Sequence, residues 1–287
     1  MPSAGSGAHD WQVRHARALP FLLLAFGLAF WWLERLAPGA LVPASLALFL
    51  LGIPHGAVER DPLDRLMRGR ALAPSLIYSA LYVVCGILVF ASWLIAPWPT
   101  LIIALGLSAW HFALPARESA MAGLFVVAGS LAVFPGETLG IFNTLTAQPI
   151  RVAEPWLVAT GVAAIALLWL APGRRRDWPV RLALSALFLA VHPVAAVACY
   201  FFLCHSLGEM AALLEQERGA SPQRTLLRVY APTSLPALLG ASALLSLTWM
   251  GYVPIDTAAG LAVAFIVPHM LPVEQLLRVD RMAGPPG

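Results

Sequence analysis

The chain alternates between long apolar runs and short polar connections. A helix that rises about 1.5 Å per residue needs about twenty apolar residues to cross the hydrocarbon layer of a membrane. The pattern predicts ten helical segments, of which the seventh is short and is soon followed by Pro193, so it is either a partial span or a tight hairpin with the eighth. About eight to ten helices are therefore expected. The predicted segments are 18–34, 41–58, 72–96, 98–115, 119–134, 153–171, 179–191, 194–214, 231–250 and 255–277.

Composition indicates the surroundings of these helices. Hydrophobic residues make up 60% of the 287 positions and charged residues 11%, and the mean hydropathy is +0.78. Such a chain is too apolar for a soluble globule of this length. We expect an all-α fold, a polytopic transmembrane helix bundle, formed by one domain at 18–277 with a polar N-terminal leader at 1–17 and a C-terminal tail at 278–287. The longest polar connections are expected at 59–71, 135–152 and 172–179, with 215–230 another candidate.

The basic residues predict the orientation of the segments. All 18 are arginine, and arginine is enriched on the cytoplasmic side of membrane proteins. If the N-terminus is cytoplasmic and all ten segments cross, only Arg35 and Arg151 lie outside. The sequence therefore predicts a multi-pass protein of the inner (cytoplasmic) membrane with both termini cytoplasmic. Its net charge of +3 then reflects topology and contact with the headgroups of the lipid bilayer, and it does not suggest nucleic-acid binding. The arginines at inner ends are Arg14, Arg17, Arg60, Arg65, Arg68, Arg70, Arg117, Arg174, Arg175, Arg176, Arg181, Arg218, Arg224, Arg228, Arg278 and Arg281.

Four histidines lie at a similar predicted depth. They are His55 in "GIPHGA", His111 in "SAWHFA", His205 in "YFFLCHSLGEM" and His269 in "VPHMLP". All four fall in the inner half of an even-numbered segment, and a polar side chain at that depth needs a partner. Because one ion can satisfy several imidazoles, and imidazole suits iron, copper and zinc, the four histidines indicate a metal site.

Glu209 is a further candidate ligand. It follows His205 by four residues, so both side chains project from the same helical face. A carboxylate beside a cation can stay charged within the membrane. The alternative is that Glu209 lies near the headgroups and is simply solvated.

Proline and glycine residues flank His55 and affect the backbone there. Pro54 can loosen or end the helix, and Gly52 and Gly56 allow close approach by another helix or by a long rigid substrate. His55 would then be aimed into the bundle from a loosened turn. The alternative is a helix terminus that merely leaves the membrane.

The motifs "GIPHGAVE", "WHF", "YFFLCHS" and "PHMLPVE", in this order and at these separations, resemble the Brp/Blh family of membrane β-carotene 15,15′-dioxygenases. The resemblance implies an all-helical membrane protein that binds iron(II) through histidines and cleaves the central double bond of β-carotene with O₂ into two retinals. It also implies that His55, His111 and His205 are iron ligands. A retinal-binding opsin is the kind of partner that would use the product.

The chain departs from the family pattern in three places. Glu209 replaces a second histidine, Glu59 replaces an aspartate, and 113–116 lack the glycine and aspartate that often follow "HF". The fourth ligand is then either Glu209 or His269, and His269 is otherwise a pocket residue.

Aromatic residues beside the expected ligands complete the predicted site. Trp110, Phe112, Tyr200 and Phe201 are expected to line a substrate tunnel, although bundle packing is an alternative role for them.

Three other classes of protein are alternatives to a dioxygenase. The absence of lysine excludes a retinal-binding opsin, which needs a Schiff base. A haem protein with paired axial histidines and a non-catalytic carotenoid or retinal carrier stay open as alternatives.

Overall fold

A computed structural model describes the backbone of residues 6–53, 73–113, 120–171, 177–208, 210 and 231–270. It describes their side chains except at 6–13, 73–79, 113, 120–122, 231–233 and 269. Within these ranges the chain forms eleven α-helices and no strand, which confirms the all-α class. The helices are α1 (Ser6–Leu36), α2 (Pro38–Gly52), α3 (Ala73–Ile95), α4 (Pro97–Ala113), α5 (Ala120–Ala128), α6 (Pro135–Thr146), α7 (Glu154–Leu170), α8 (Trp178–Ala190), α9 (Pro193–Cys199), α10 (Ala231–Trp249) and α11 (Ile255–Met270). A 3₁₀ turn (Gly129–Ala132) follows α5, and a π-helical segment (Tyr200–Ser206) continues α9.

Proline starts many of these helices. Pro38, Pro97, Pro135 and Pro193 are each the first residue of a helix. Proline fits this position because its missing N–H would have no partner in the first turn and its φ is already helical. The predicted break between the seventh and eighth segments accordingly falls at 191–192, between α8 and α9.

α1 begins at Ser6 and therefore includes residues 6–17 of the predicted polar leader, which itself stays a prediction. One prediction about a polar stretch was wrong. The connection 135–152 contains α6, a helix of 12 residues. The sequence "PGETLGIFNTLT" does not predict a helix, because Gly136 and Gly140 lower its helix propensity and it contains few apolar residues.

The chain divides into two compact units. Unit 1 comprises Met1–Val58, Ala109–Ile141 and Arg151–Ser242, and unit 2 comprises Glu59–Ser108, Phe142–Ile150 and Ala243–Gly287. The single domain expected at 18–277 and the tail at 278–287 stay predictions, and the tail lies outside the described residues.

Unit 1 is built around the contact of α1 with α8 and of α2 with α9. On α1, Leu23, Gly27 and Phe30 are buried at four- and three-residue spacing, which places them on one helical face. They pack with the buried side chains of α8, including Leu187 and Phe188. Alanines dominate α9, and small side chains allow its backbone to lie close to α2.

Unit 2 is built around the contact of α3 with α11. Gly86 on α3 faces the carbonyl of Ala264, where a Cβ atom would lie 3.1 Å from the oxygen. Two side-chain hydrogen bonds cross between the helices: Tyr82 Oη donates to Phe265 O at 2.6 Å, and Trp93 Nε1 donates to Asp256 O at 2.9 Å. Ala104, Val267 and Met270 form the buried core.

One helix among the described residues is long and apolar enough to cross a membrane, at Arg14–Leu36 near the N-terminus. A second candidate span consists of Gly123–Ala132 and Pro135–Thr146, if two helices bent by 116° count as one. The remaining apolar helices are shorter within the described ranges. The polytopic bundle thus stays a prediction.

Candidate functional site

Two of the predicted ligands lie side by side in unit 1. His111 is in the last turn of α4 and His205 is in the π-helical segment. Both are buried, at 7% and 4% exposure. Their ring centroids are 4.9 Å apart and their planes are 70° to each other. The fold therefore brings together two imidazoles that are 94 positions apart, from 111 to 205, in the sequence.

This separation suits two imidazoles bound to one ion. A metal–nitrogen bond of about 2 Å places each ring centroid about 3 Å from the ion. For ligand angles between about 90° and 110°, the two centroids then lie about 4.5 to 5 Å apart. Edge-to-face ring packing has similar distances, so the geometry permits a shared ion without requiring one.

Aromatic side chains surround this pair. The ring of Phe112 is 5.0 Å from that of His205 and 5.5 Å from that of Tyr200, and Phe201 is 5.8 Å from His205. Trp110 is half-buried on α4. Three of the four aromatic residues predicted for the pocket thus contact one another or His205, and they give the two imidazoles apolar neighbours.

The π-helical segment sets the direction of His205. The amide of Leu207 donates to the carbonyl of Phe202, five residues earlier, whereas in an α-helix it would donate to Leu203. Each π-type turn rotates the following side chains relative to an α-helix. Such segments occur frequently at functional sites.

The end of α2 is bonded to this segment. Ser206 is fully buried, and its Oγ donates to Gly52 O at 2.9 Å. A Cβ on Gly52 would lie 2.5 Å from Cε1 of Phe201, so only glycine fits the observed spacing. This confirms the prediction that Gly52 allows close approach by another helix. Since Gly52 precedes His55 by three residues, the contact fixes the chain just before that predicted ligand.

The end of α4 is held by a second close approach. A Cβ on Gly123 of α5 would overlap the carbonyl of Ala109, which is backbone and cannot rotate away. Ala109 precedes His111 by two residues. The absence of a side chain at Gly123 therefore sets how closely α5 packs against the last turns of α4.

The other predicted ligands are not placed by the structure. His55 and Glu209 lie outside the described residues. His269 is on α11, in unit 2, and its side chain is not described. Among the side chains that the structure describes, no group of three or more His, Cys, Asp or Glu could hold a metal ion. The complete ligand set stays a prediction.

The sequence pattern predicts no role for His15, which lies within the predicted polar leader at 1–17. Its Nε2 lies 3.1 Å from Leu203 O, in the π-helical segment. The available signal was spacing: His15, Leu19, Leu23 and Gly27 follow one another at four-residue intervals, so the buried face of α1 extends back into the polar leader.

Buried histidines, aromatic neighbours and an all-helical fold define the class of protein as a helical protein with a candidate metal centre. A family profile described as beta-carotene 15,15'-dioxygenase matches residues 46–276. The chain belongs to this family. The match includes all five predicted ligands but not His15. No curated protein and no solved structure matches the chain.

Proposed function

We propose that the protein is an iron-dependent membrane dioxygenase that cleaves β-carotene or a related carotenoid at its central double bond. The observation that carries the proposal is the adjacency of His111 and His205, buried and 4.9 Å apart, in a chain of the β-carotene dioxygenase family. The reaction breaks one carbon–carbon double bond, and each oxygen atom of O₂ ends in one of two retinal molecules.

The residues that would hold the iron come from separate segments. They are His55, His111 and His205, with Glu209 or His269 in the fourth position. Imidazole and carboxylate are suitable donors for iron(II). When bound, the iron would supply the redox chemistry that allows O₂ to react with an alkene.

The protein's own side chains would bind and orient the substrate. Phe112, Tyr200 and Phe201 offer apolar ring faces next to the imidazoles. Contact of these faces with a flat polyene is more favourable than their contact with water. Excluding water from this region would protect reactive species from side reactions.

A membrane location supports the same substrate. Large apolar side chains are exposed on several helices, including Phe21 (73%), Ile95 (84%), Leu170 (76%) and Trp249 (77%). Exposure on this scale favours a lipid environment, because soluble monomers rarely expose large apolar patches. A carotenoid dissolves in the same hydrocarbon layer, and we place the protein as a multi-pass bundle in the inner membrane.

Expression in a β-carotene-accumulating host tests the proposed reaction. We expect the wild-type protein to remove the orange colour and produce retinal, and His205→Ala to leave β-carotene intact at an equal protein level. Extracted pigments are measured by chromatography. Intact carotenoid bound to an iron-free wild-type protein would instead identify a carrier, and a strong Soret band would identify a haem protein.

Two substitutions can determine which residue is the fourth iron ligand. Because Glu209 follows His205 by four residues in the sequence, we expect Glu209→Gln to reduce iron occupancy about as strongly as His205→Ala, and His269→Ala to leave it largely intact. Iron per protein in purified samples is the measurement. Full occupancy in Glu209→Gln together with loss in His269→Ala would assign the position to His269.

A further inference from the structure

His15 is turned towards the interior of unit 1, although its neighbours are not. It is half-buried, whereas Arg14, Ala16 and Arg17 are exposed. Its place on α1 continues the buried face of Leu23 and Gly27. The residue therefore belongs to the packed side of the helix and not to a solvated leader.

The imidazole of His15 bonds the backbone of the segment that carries His205. Nε2 lies 3.1 Å from Leu203 O. A carbonyl oxygen only accepts, so Nε2 carries the proton and donates it. The two residues are 188 positions apart in sequence, so this hydrogen bond joins α1 to the π-helical segment.

The π geometry redirects the amide that would bond this carbonyl in an α-helix. The Leu207 amide, which an α-helix would direct to Leu203, donates to Phe202 instead. The Leu203 oxygen accepts a hydrogen bond from the His15 imidazole, and its α-helical donor is directed to Phe202. The bond therefore ties α1 to the backbone of the widened turn itself.

Two side chains thus hold the turn around His205. His15 bonds Leu203, two residues before it, and Ser206, the next residue, bonds Gly52. We propose that His15 is a positioning residue that holds the π-helical turn at Leu203 and thereby aims the His205 imidazole beside that of His111. The inference rests on the proposed function, since it assigns His205 to the metal site.

Metal binding to the purified full-length protein in detergent tests the role of His15. Co²⁺ is the probe, because its visible absorption reports both affinity and ligand geometry. We expect His15→Ala to weaken Co²⁺ binding about tenfold or more, as loss of an outer support of a ligand commonly does, and to shift the absorption bands. His15→Gln should restore affinity and spectrum, because its side-chain amide can donate to the same carbonyl.

Arg17→Ala is the matched control, since Arg17 is exposed on the same helix two residues further on. It should leave Co²⁺ affinity and spectrum unchanged. His15→Leu, which keeps side-chain bulk but has no donor, separates hydrogen bonding from packing and should resemble His15→Ala.

Several outcomes would overturn the assignment. Unchanged Co²⁺ binding in a folded His15→Ala, or a His15→Gln as impaired as His15→Ala, would each exclude it. Unfolding of both His15→Ala and His15→Leu would show a role in stability alone. A wild-type protein that binds no Co²⁺ or iron would remove the proposed function as well, whereas carotenoid cleavage by wild type and His15→Ala at equal metal affinity would remove only this inference.

Discussion

Gly52 shows how a single missing side chain positions the candidate site. A Cβ there would lie 2.5 and 2.7 Å from two carbons of the Phe201 ring. We expect Gly52→Ala to displace Phe201, to destabilise the protein by about 1 to 3 kcal/mol as overpacked substitutions do, and to lower iron occupancy. Thermal unfolding and iron per protein are the measurements.

The control for Gly52→Ala lies on the same helix. Gly39→Ala meets no atom within 4 Å and should leave both measurements close to wild type. Combining Gly52→Ala with Phe201→Leu should recover stability, because the smaller side chain removes the clash. Wild-type stability and iron occupancy in Gly52→Ala alone would contradict this account.

Ser206 offers a second test at the scale of one residue. Gly52 is the last residue of α2, and its carbonyl accepts the hydrogen bond of the fully buried Ser206 hydroxyl. We expect Ser206→Ala to cost about 1 kcal/mol of stability and to reduce iron occupancy, since the turn after His205 loses its bond to Gly52. Ser45→Ala is the matched control: Ser45 is also fully buried, but its Oγ donates to Leu41 O within its own helix. Equal effects of the two substitutions on iron occupancy would argue against a special role for Ser206.

At the scale of elements, the sequence predicted where the apolar helices lie, but it did not predict the π-helical segment or the less apolar α6. Each predicted segment corresponds to an observed helix because apolar runs bounded by proline and polar residues are strong signals. The π-helical segment could not be predicted, since "YFFLCHS" has the same apolar pattern as an α-helix. α6 was missed because its glycines and polar residues resemble a loop.

The candidate site could be predicted from the sequence only in part. The sequence identified His111, His205 and their aromatic neighbours by residue type and position. The contacts that support them come from distant backbone atoms, such as Leu203 O for His15 and Ala109 O for Gly123. Every residue has the same backbone carbonyl, so a sequence pattern cannot show which carbonyl a side chain will contact.

The crossing of α5 with the end of α4 can be tested through Gly123. A Cβ there would overlap the Ala109 carbonyl, so Gly123→Ala must separate two backbones. We expect a loss of stability greater than that of Gly52→Ala, where a side chain can rotate, and a loss of iron occupancy through displacement of His111. Gly106→Ala on α4 meets nothing within 4 Å and serves as the control. A melting temperature for Gly123→Ala equal to that of Gly106→Ala would contradict the prediction.

At the scale of the whole molecule, α6 tests the predicted topology. With 12 residues it is about 18 Å long, shorter than the hydrocarbon layer of about 30 Å. The axis of α6 is bent by 116° from that of the preceding helical segment, Gly123–Ala132. If α6 crossed the membrane by itself, the sides of all later connections would reverse, and Arg174, Arg175 and Arg176 would lie outside, against the positive-inside rule. We therefore expect α6 to stay on the outer side.

Single cysteines in the full chain can measure this arrangement, after Cys85, Cys199 and Cys204 are replaced by serine. In intact spheroplasts, a membrane-impermeant maleimide should label Gln148→Cys, which follows α6 and is exposed. The same reagent should label Arg175→Cys only after the membrane is broken, because three consecutive arginines favour the cytoplasmic side. Trp249→Cys, exposed at the end of α10, provides a second outer position if the ten-segment order is correct. Labelling of Arg175→Cys from outside, or of Gln148→Cys only from inside, would require α6 or a neighbouring segment to change its side, and the orientation with both termini cytoplasmic would have to be abandoned.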